Sequence, residues 1–259
     1  MNISTKINNY SFLEVLLVIK IILILLCVLL LVVGAGFGYL YHNGMSGMYA
    51  NTQPRDGQIK VACVGDSITY GHGVSGWKQN NSPAVLQQYL GEKYHVANFG
   101  SSGSCVNPNG DQPYSGRAVY QSSLAYDADI LVFMLGSNDA KPENWTDTET
   151  FLTQYENLLD TYCAGGRTPK VFIGLCAKAF YVGGATSGPA RYDIEPAVVD
   201  TIVAALRNHP TQATIIDIYT LTANHPEWFA ADGIHPNKDG AAAIAQAVFE
   251  AIENEGRLS

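Results

Sequence analysis

The chain is short of basic residues. Lysine and arginine number 15 against 23 aspartates and glutamates, a net charge of −8, and they form no run. Phosphate backbones are bound by clustered Lys and Arg, so nucleic acid is excluded as a partner. The two common nucleotide loops are missing as well. In VACVGDSITYGHG at 61–73 no lysine follows the glycines, and Gly65, Gly71 and Gly73 do not have the spacing of a dinucleotide loop. No CxxC or Cys/His spacing suggests zinc, and neither a metal nor another cofactor is expected. No internal repeat is present. Cysteine is sparse, at five. Cys27 lies in an apolar run, and Cys63 and Cys176 lie in strand-like stretches that suit a small buried hydrophobe. Disulfides are permitted without being implied, and neither pairing nor oligomeric state is legible.

What is present begins with that apolar run. Ile21 to Tyr41 carries no charge. At about 1.5 Å per residue, a helix of this length crosses the roughly 30 Å of a bilayer's hydrocarbon. The run is long for a signal peptide, and the nearest small-x-small site, ending at Ala50, has Met48 where a small residue is wanted. The expectation is a tail and transmembrane anchor over 1–41, with a cleaved signal sequence and secretion as the alternative. Residues 42–58 are polar and turn-rich and read as a linker. The domain over 59–259 is placed outside the membrane, although Lys6 and Lys20 before the span and Arg55 and Lys60 after it barely set an orientation.

Beyond the linker, short Val- and Ile-rich runs alternate with helical patterns. Strands are predicted at Ile59–Val64, His95–Asn98, Ile130–Leu135, Lys170–Leu175 and Ala213–Ile218. Ser82-Pro83 opens a helix to about Leu90, with Ser82 as cap. Asp147 or Thr148 caps a second, Val198 to Leu206 has the spacing of a third, and Asn237 precedes a last one. Strand–helix alternation predicts a five-stranded parallel sheet with helices on both faces, an α/β fold. Such sheets bind ligands at the carboxyl ends of their strands. There the chain puts Gly65-Asp66-Ser67, then Asn98 to Gly103, then Gly136-Ser137-Asn138-Asp139, and finally Asp232-Gly233-Ile234-His235.

Taken singly, each of these has an ordinary use. Ser67 can cap a helix, Gly103 can make a turn, Asn138-Asp139 can start a helix and His235 can satisfy a loop carbonyl. Together on one rim they fit nucleophilic catalysis. A serine hydroxyl needs a base, and the base needs a third group to hold its tautomer. Ser67, His235 and Asp232 can fill these roles. The backbone N–H groups of Ser67 and Gly103 and the side-chain amide of Asn138 can donate to an oxyanion. Activity then requires neutral His235 and falls in acid.

These residues resemble the SGNH/GDSL hydrolase family. GDSIT at 65–69, Gly103 within NFGSSG, GSND at 136–139 and DGIHP at 232–236 are similar to its sequence blocks, in order, over roughly 59–255. The resemblance implies a flavodoxin-like three-layer α/β/α sandwich and esterase chemistry. It also implies Ser67 as nucleophile, Asp232 and His235 as its partners, and Ser67, Gly103 and Asn138 as oxyanion donors, with Gly100 as an alternative to Gly103. GDSITYG and KPENW look similar to members that remove O-acetyl groups from carbohydrate, so a small-molecule or glycan ester is the expected substrate. Among the loop aromatics, Tyr70, Trp145 and Tyr181 are the expected substrate contacts. A lysophospholipase or thioesterase, a cell-wall acyltransferase and a catalytically dead carbohydrate-binding module remain open. The glycine-rich stretch from Ala177 to Tyr192 reads either as a lid or as a connection.

Overall fold

The computed structural model describes residues 12–42, 51–181 and 191–258. The beginning of the expected tail, about half of the expected linker and most of the glycine-rich stretch lie outside the described residues. The chain divides into two compact units, Met1–Tyr41 and His42–Ser259. The first is carried by α1 (Phe12–His42), apolar on every face and exposed along its length. Its stretch Glu14–His42 has a mean hydropathy of 3.5 and is a candidate membrane span. A helix apolar all round either fills a large core or crosses a membrane, and its length suits the second.

The second unit holds five parallel strands: β1 (Ile59–Gly65), β2 (Tyr94–Gly100), β3 (Ile130–Met134), β4 (Lys170–Gly174) and β5 (Thr214–Ile216). Their order is β2-β1-β3-β4-β5. Alternate side chains point to opposite faces, so each strand feeds two cores. In β1, Ala62 and Val64 enter one core while Val61 and Cys63 enter the other. In β3, Leu131 and Phe133 are set against Val132 and Met134 in the same way. The first core is covered by α5 (Ala118–Ala125), α6 (Thr148–Cys163) and α7 (Pro196–Asn208). The second is covered by α4 (Ser82–Leu90) and α9 (Lys238–Leu258). The shorter helices α2 (Ser67–Tyr70), α3 (Trp77–Asn80) and α8 (Ile218–Thr222) fill the ends. This is the expected α/β/α sandwich.

Strand ends differ from the expected ones by one or two residues, and in two places a boundary moves because a side chain caps a helix. The cap of α4 is Asn81, whose Oδ1 accepts from the Ala84 amide at 2.9 Å, so Ser82 is already helical. The last strand stops at Ile216, because the Asp217 carboxylate accepts from the Thr220 amide at 2.9 Å and starts α8 at Ile218. The expected linker is also shorter than its polar composition suggests. The Asn51 side chain pairs with the Asn98 amide and carbonyl at 2.8 Å each, and Thr52 bonds His95 at 2.9 Å. The physical reason is that β2 is an edge strand, and its outward backbone groups need partners.

Candidate active site

The chain leaves β1 toward β2 on one side and β3 on the other, and the crevice that this reversal leaves lies at the strands' carboxyl ends. The last residue of β1 is Gly65. Asp66 then turns the backbone, and its Oδ1 accepts from the Ile68 amide at 2.9 Å, capping α2. The cap is therefore Asp66, and Ser67 is the first helical residue. Ser67 Oγ lies 2.8 Å from His235 Nε2, and His235 Nδ1 lies 2.8 Å from Asp232 Oδ2. The other Asp232 oxygen accepts from the Ile234 and His235 amides at 3.0 and 2.9 Å. Burial pushes the Asp232 carboxyl upward, but the hydrogen bonds from the His235 ring and these amides outweigh it and hold it at about 2. An ionised Asp232 accepts from Nδ1–H, which leaves Nε2 to accept from the Ser67 hydroxyl.

Gly103 and Asn138 line the same cavity of about 340 Å³ as Ser67 and His235. Gly103 has φ +80, a left-handed conformation, and a Cβ there would meet Gln112 at under 3.0 Å. Gly100 plays another part. It ends β2, and a Cβ would fall 2.2 Å from the Tyr70 backbone nitrogen, so its bareness lets α2 seat against the sheet. Gly100 does not line the cavity holding Ser67, and Gly103 does. Asn138 Nδ2 donates to the Ser104 carbonyl at 3.1 Å and makes a longer contact of 3.5 Å with Asp66 Oδ2.

The expected aromatic contacts lie elsewhere. Tyr70 is buried and stacked on Trp77, with centroids 4.9 Å apart, because the left-handed turn at Gly71 ends α2 and packs this ring with Val74 and Ala241. It lines a second cavity and not the one that holds Ser67. Trp145 packs on Phe151 at 6.1 Å, drawn in by the first core. Tyr181 is half-buried and lines neither cavity. The expectation that these three line the site with Ser67 is corrected accordingly.

Sequence reasoning passed over other residues. His72 packs its ring 4.5 Å from that of His235 and lines the cavity. Burial, with the neighbouring His235 charge, lowers its pKa to about 4 against the opposing pull of Asp232. Tyr192 meets His235 edge-on at 5.5 Å from a left-handed backbone conformation, φ 63. Asp139 is buried and accepts from the Val106 amide at 2.9 Å and the Asn107 amide at 3.0 Å, pinning the segment that follows Gly103. Burial pushes its carboxyl up to about 6, although those two amides pull the other way. Asn144 donates to the Asn138 carbonyl and to Asp111, each at 2.8 Å, and Asp111 also takes Lys141 at 2.8 Å. Lys141 and Asn144 belong to the KPENW segment, so that stretch was the available signal for this network. For His72 the signal was its two flanking glycines.

The parallel sheet with Ser67, His235 and Asp232 in contact on its rim is an arrangement that comparison with known proteins assigns to one family. Residues 63–243 match the model of the GDSL-like Lipase/Acylhydrolase family, and the chain belongs to that family. An acetylxylan esterase of Xylanibacter ruminicola is 30% identical over 246 residues, 85% of this chain. The chain spans about half the length of that relative, 50% of it. Solved structures share the fold. A carbohydrate acetylesterase family member from Sinorhizobium meliloti has a TM-score of 0.61 at 19% identity, over 75% of this chain and 97% of that one. The native aryl esterase of M. smegmatis has a TM-score of 0.59 at 17% identity, over 76% and 99%.

Proposed function

We propose that the chain is a serine esterase that removes acetyl groups from carbohydrate. The observation that carries the reading is the pair of 2.8 Å contacts from Ser67 Oγ to His235 Nε2 and from His235 Nδ1 to Asp232, facing one cavity. Ser67 Oγ attacks the ester carbonyl carbon while His235 Nε2 takes its proton. Asp232 stays ionised and stabilises the imidazolium. The tetrahedral oxyanion is met by the Ser67 and Gly103 amides and by the second Asn138 Nδ2 hydrogen, the one whose contact with Asp66 is long. The C–O bond breaks, and the alcohol leaves with the proton from His235. Water, deprotonated by His235, then attacks the acyl-serine, and acetate leaves as Ser67 takes the proton back. The carbohydrate side of the reading draws on what the acetylxylan esterase and the carbohydrate acetylesterase family member are named for.

The span Glu14–His42 is read as an anchor, with the catalytic domain outside, or as a signal sequence if it is cleaved. It also favours a second reading, a lysophospholipase acting at a lipid surface. The full chain in detergent, assayed on 4-nitrophenyl esters from acetate to palmitate beside Ser67→Ala, separates the two. Acetate turnover that falls with chain length and vanishes in the variant supports the proposal. A preference for long chains moves the reading to lipid, and no turnover by a folded chain removes it.

A further inference from the structure

A second cavity, of about 570 Å³, lies beside the one that holds Ser67, and Ser102 lines both. It runs along the end of the edge strand β2, between the segment that starts at Asn51 and one face of α5. The polar side chains on its walls are amides and hydroxyls: Asn51, Thr52, Gln53, Ser101, Ser102 and Ser122. Tyr70 and Tyr126 add aromatic surface. Part of this wall is already fixed. Asn51 is clamped to Asn98 by its two 2.8 Å bonds, and the Tyr126 hydroxyl donates to the His95 carbonyl at 2.8 Å. Groups held in place before a ligand arrives lose little freedom on binding it.

The charge on these walls is the informative feature. The chain has 23 acidic residues, yet among the described residues lining this cavity none is a carboxylate and Arg117 is the one charged side chain. Arg117 is half-buried, and its Nε donates to Ser101 Oγ at 2.9 Å. That bond orients the guanidinium and leaves both terminal nitrogens for a ligand. A planar guanidinium matches a carboxylate with two parallel hydrogen bonds. Amides, hydroxyls and aromatic faces suit sugar rings, and a small inorganic anion would fill only a fraction of this volume.

We propose that the second cavity binds the carbohydrate chain that bears the ester, and that Arg117 takes a carboxylate on it, that of a uronic acid unit. The ligand class rests on the carbohydrate-esterase reading. The shared wall at Ser102, next to Gly103, lets one chain present its ester to Ser67 and its acidic unit to Arg117.

The test uses the full chain in detergent with two acetylated xylo-oligosaccharides, one neutral and one bearing a uronic acid branch. The ratio of kcat/KM, acidic over neutral, is expected near tenfold, about the worth of one charge-assisted hydrogen-bonded pair. Arg117→Gln brings that ratio close to one through KM, and Arg117→Lys keeps part of it. Ser122→Glu, at an exposed position on the same wall, sets a like charge against the carboxylate and lowers the ratio too, which serves if Arg117→Gln does not fold. A wild-type ratio of one, or a ratio that neither substitution moves, overturns the inference. If no ester is hydrolysed at all, the esterase reading has failed separately. Calorimetric titration with the unacetylated acidic oligosaccharide then decides: binding weakened about tenfold by Arg117→Gln upholds the cavity's role, and absent binding or an unchanged affinity ends it.

Discussion

Asp232 and Asp139 each stand one loop from Ser67, yet their surroundings drive them apart. The Asp232 side chain keeps only 15% of its surface exposed, accepts from the His235 ring and two amides, and is held at about 2. Asp139 is buried, accepts from two amides, has no cation against it among the described residues, and titrates at about 6. Both accept backbone N–H groups, so hydrogen bonding alone does not separate them. The imidazole beside Asp232 and the deeper burial of Asp139 do. On the proposed mechanism, the base side of the site keeps a carboxylate charged to stabilise a passing positive charge, and the oxyanion side uses one as a clamp, where position matters more than charge.

The sharpest break of this comparison is Ser67→Ala, expected to cut kcat on 4-nitrophenyl acetate by about 10⁶, since loss of the nucleophile disables the whole set. Asp232→Asn follows, with a loss of about 10⁴, because the amide holds the wrong imidazole tautomer. Asn138→Ala removes one oxyanion donor and is expected to cost about 10²–10³ in kcat with little change in KM. A hundredfold rise in KM instead would assign Asn138 to substrate binding.

The pH dependence of stability sharpens the contrast, since the two signs differ. Asp232 is lowered from its ordinary value, so the stability it brings is present above about pH 4 and fades as pH falls toward 2. Asp139 is raised, so its favourable contribution is present below about pH 4 and is lost as pH rises through 6. Thermal melts of Asp139→Asn should therefore gain on the native chain between pH 4 and 7, by up to about 3 kcal/mol. A gap that stays flat across that range would mean that Asp139 is charged throughout. The smallest effect is expected for His72→Phe. It keeps the ring against His235 and should lower kcat less than about tenfold, whereas His72→Ala, which removes the ring, should lower it further.

Much of this was readable in the sequence. The strands announced themselves because both faces of a parallel sheet are buried, which gives runs such as Val61–Val64 and Ile130–Met134. Ser67 and Asn138 stood out because each closely follows a strand, and Asp232 and His235 because they close the stretch between β5 and α9. The misjudged residues share a different cause. Tyr70 and Trp145 were expected beside Ser67, yet an aromatic residue on a loop is drawn to whatever apolar surface is nearest, here Trp77 and Phe151, and neither lines the cavity that holds Ser67. Asp139 and the Asp111–Lys141–Asn144 group escaped notice because their partners are amides and side chains in other loops. Asp139 reaches Val106 across 33 positions, a pairing that no local pattern reveals.

The distance along the chain between the two ends of the triad has a consequence for when the protein can act. Ser67 follows the first strand of the sheet, and His235 precedes the last helix, 168 positions later. On the proposed reading, a chain that stops short of Asp232 holds a serine without its base, however well its central strands have paired. Contacts between such distant segments form late, because the intervening chain must be ordered first. On the proposed reading, ester turnover therefore reports only molecules in which the segment carrying Asp232 and His235 has come back to Ser67, and the serine stays idle until it has.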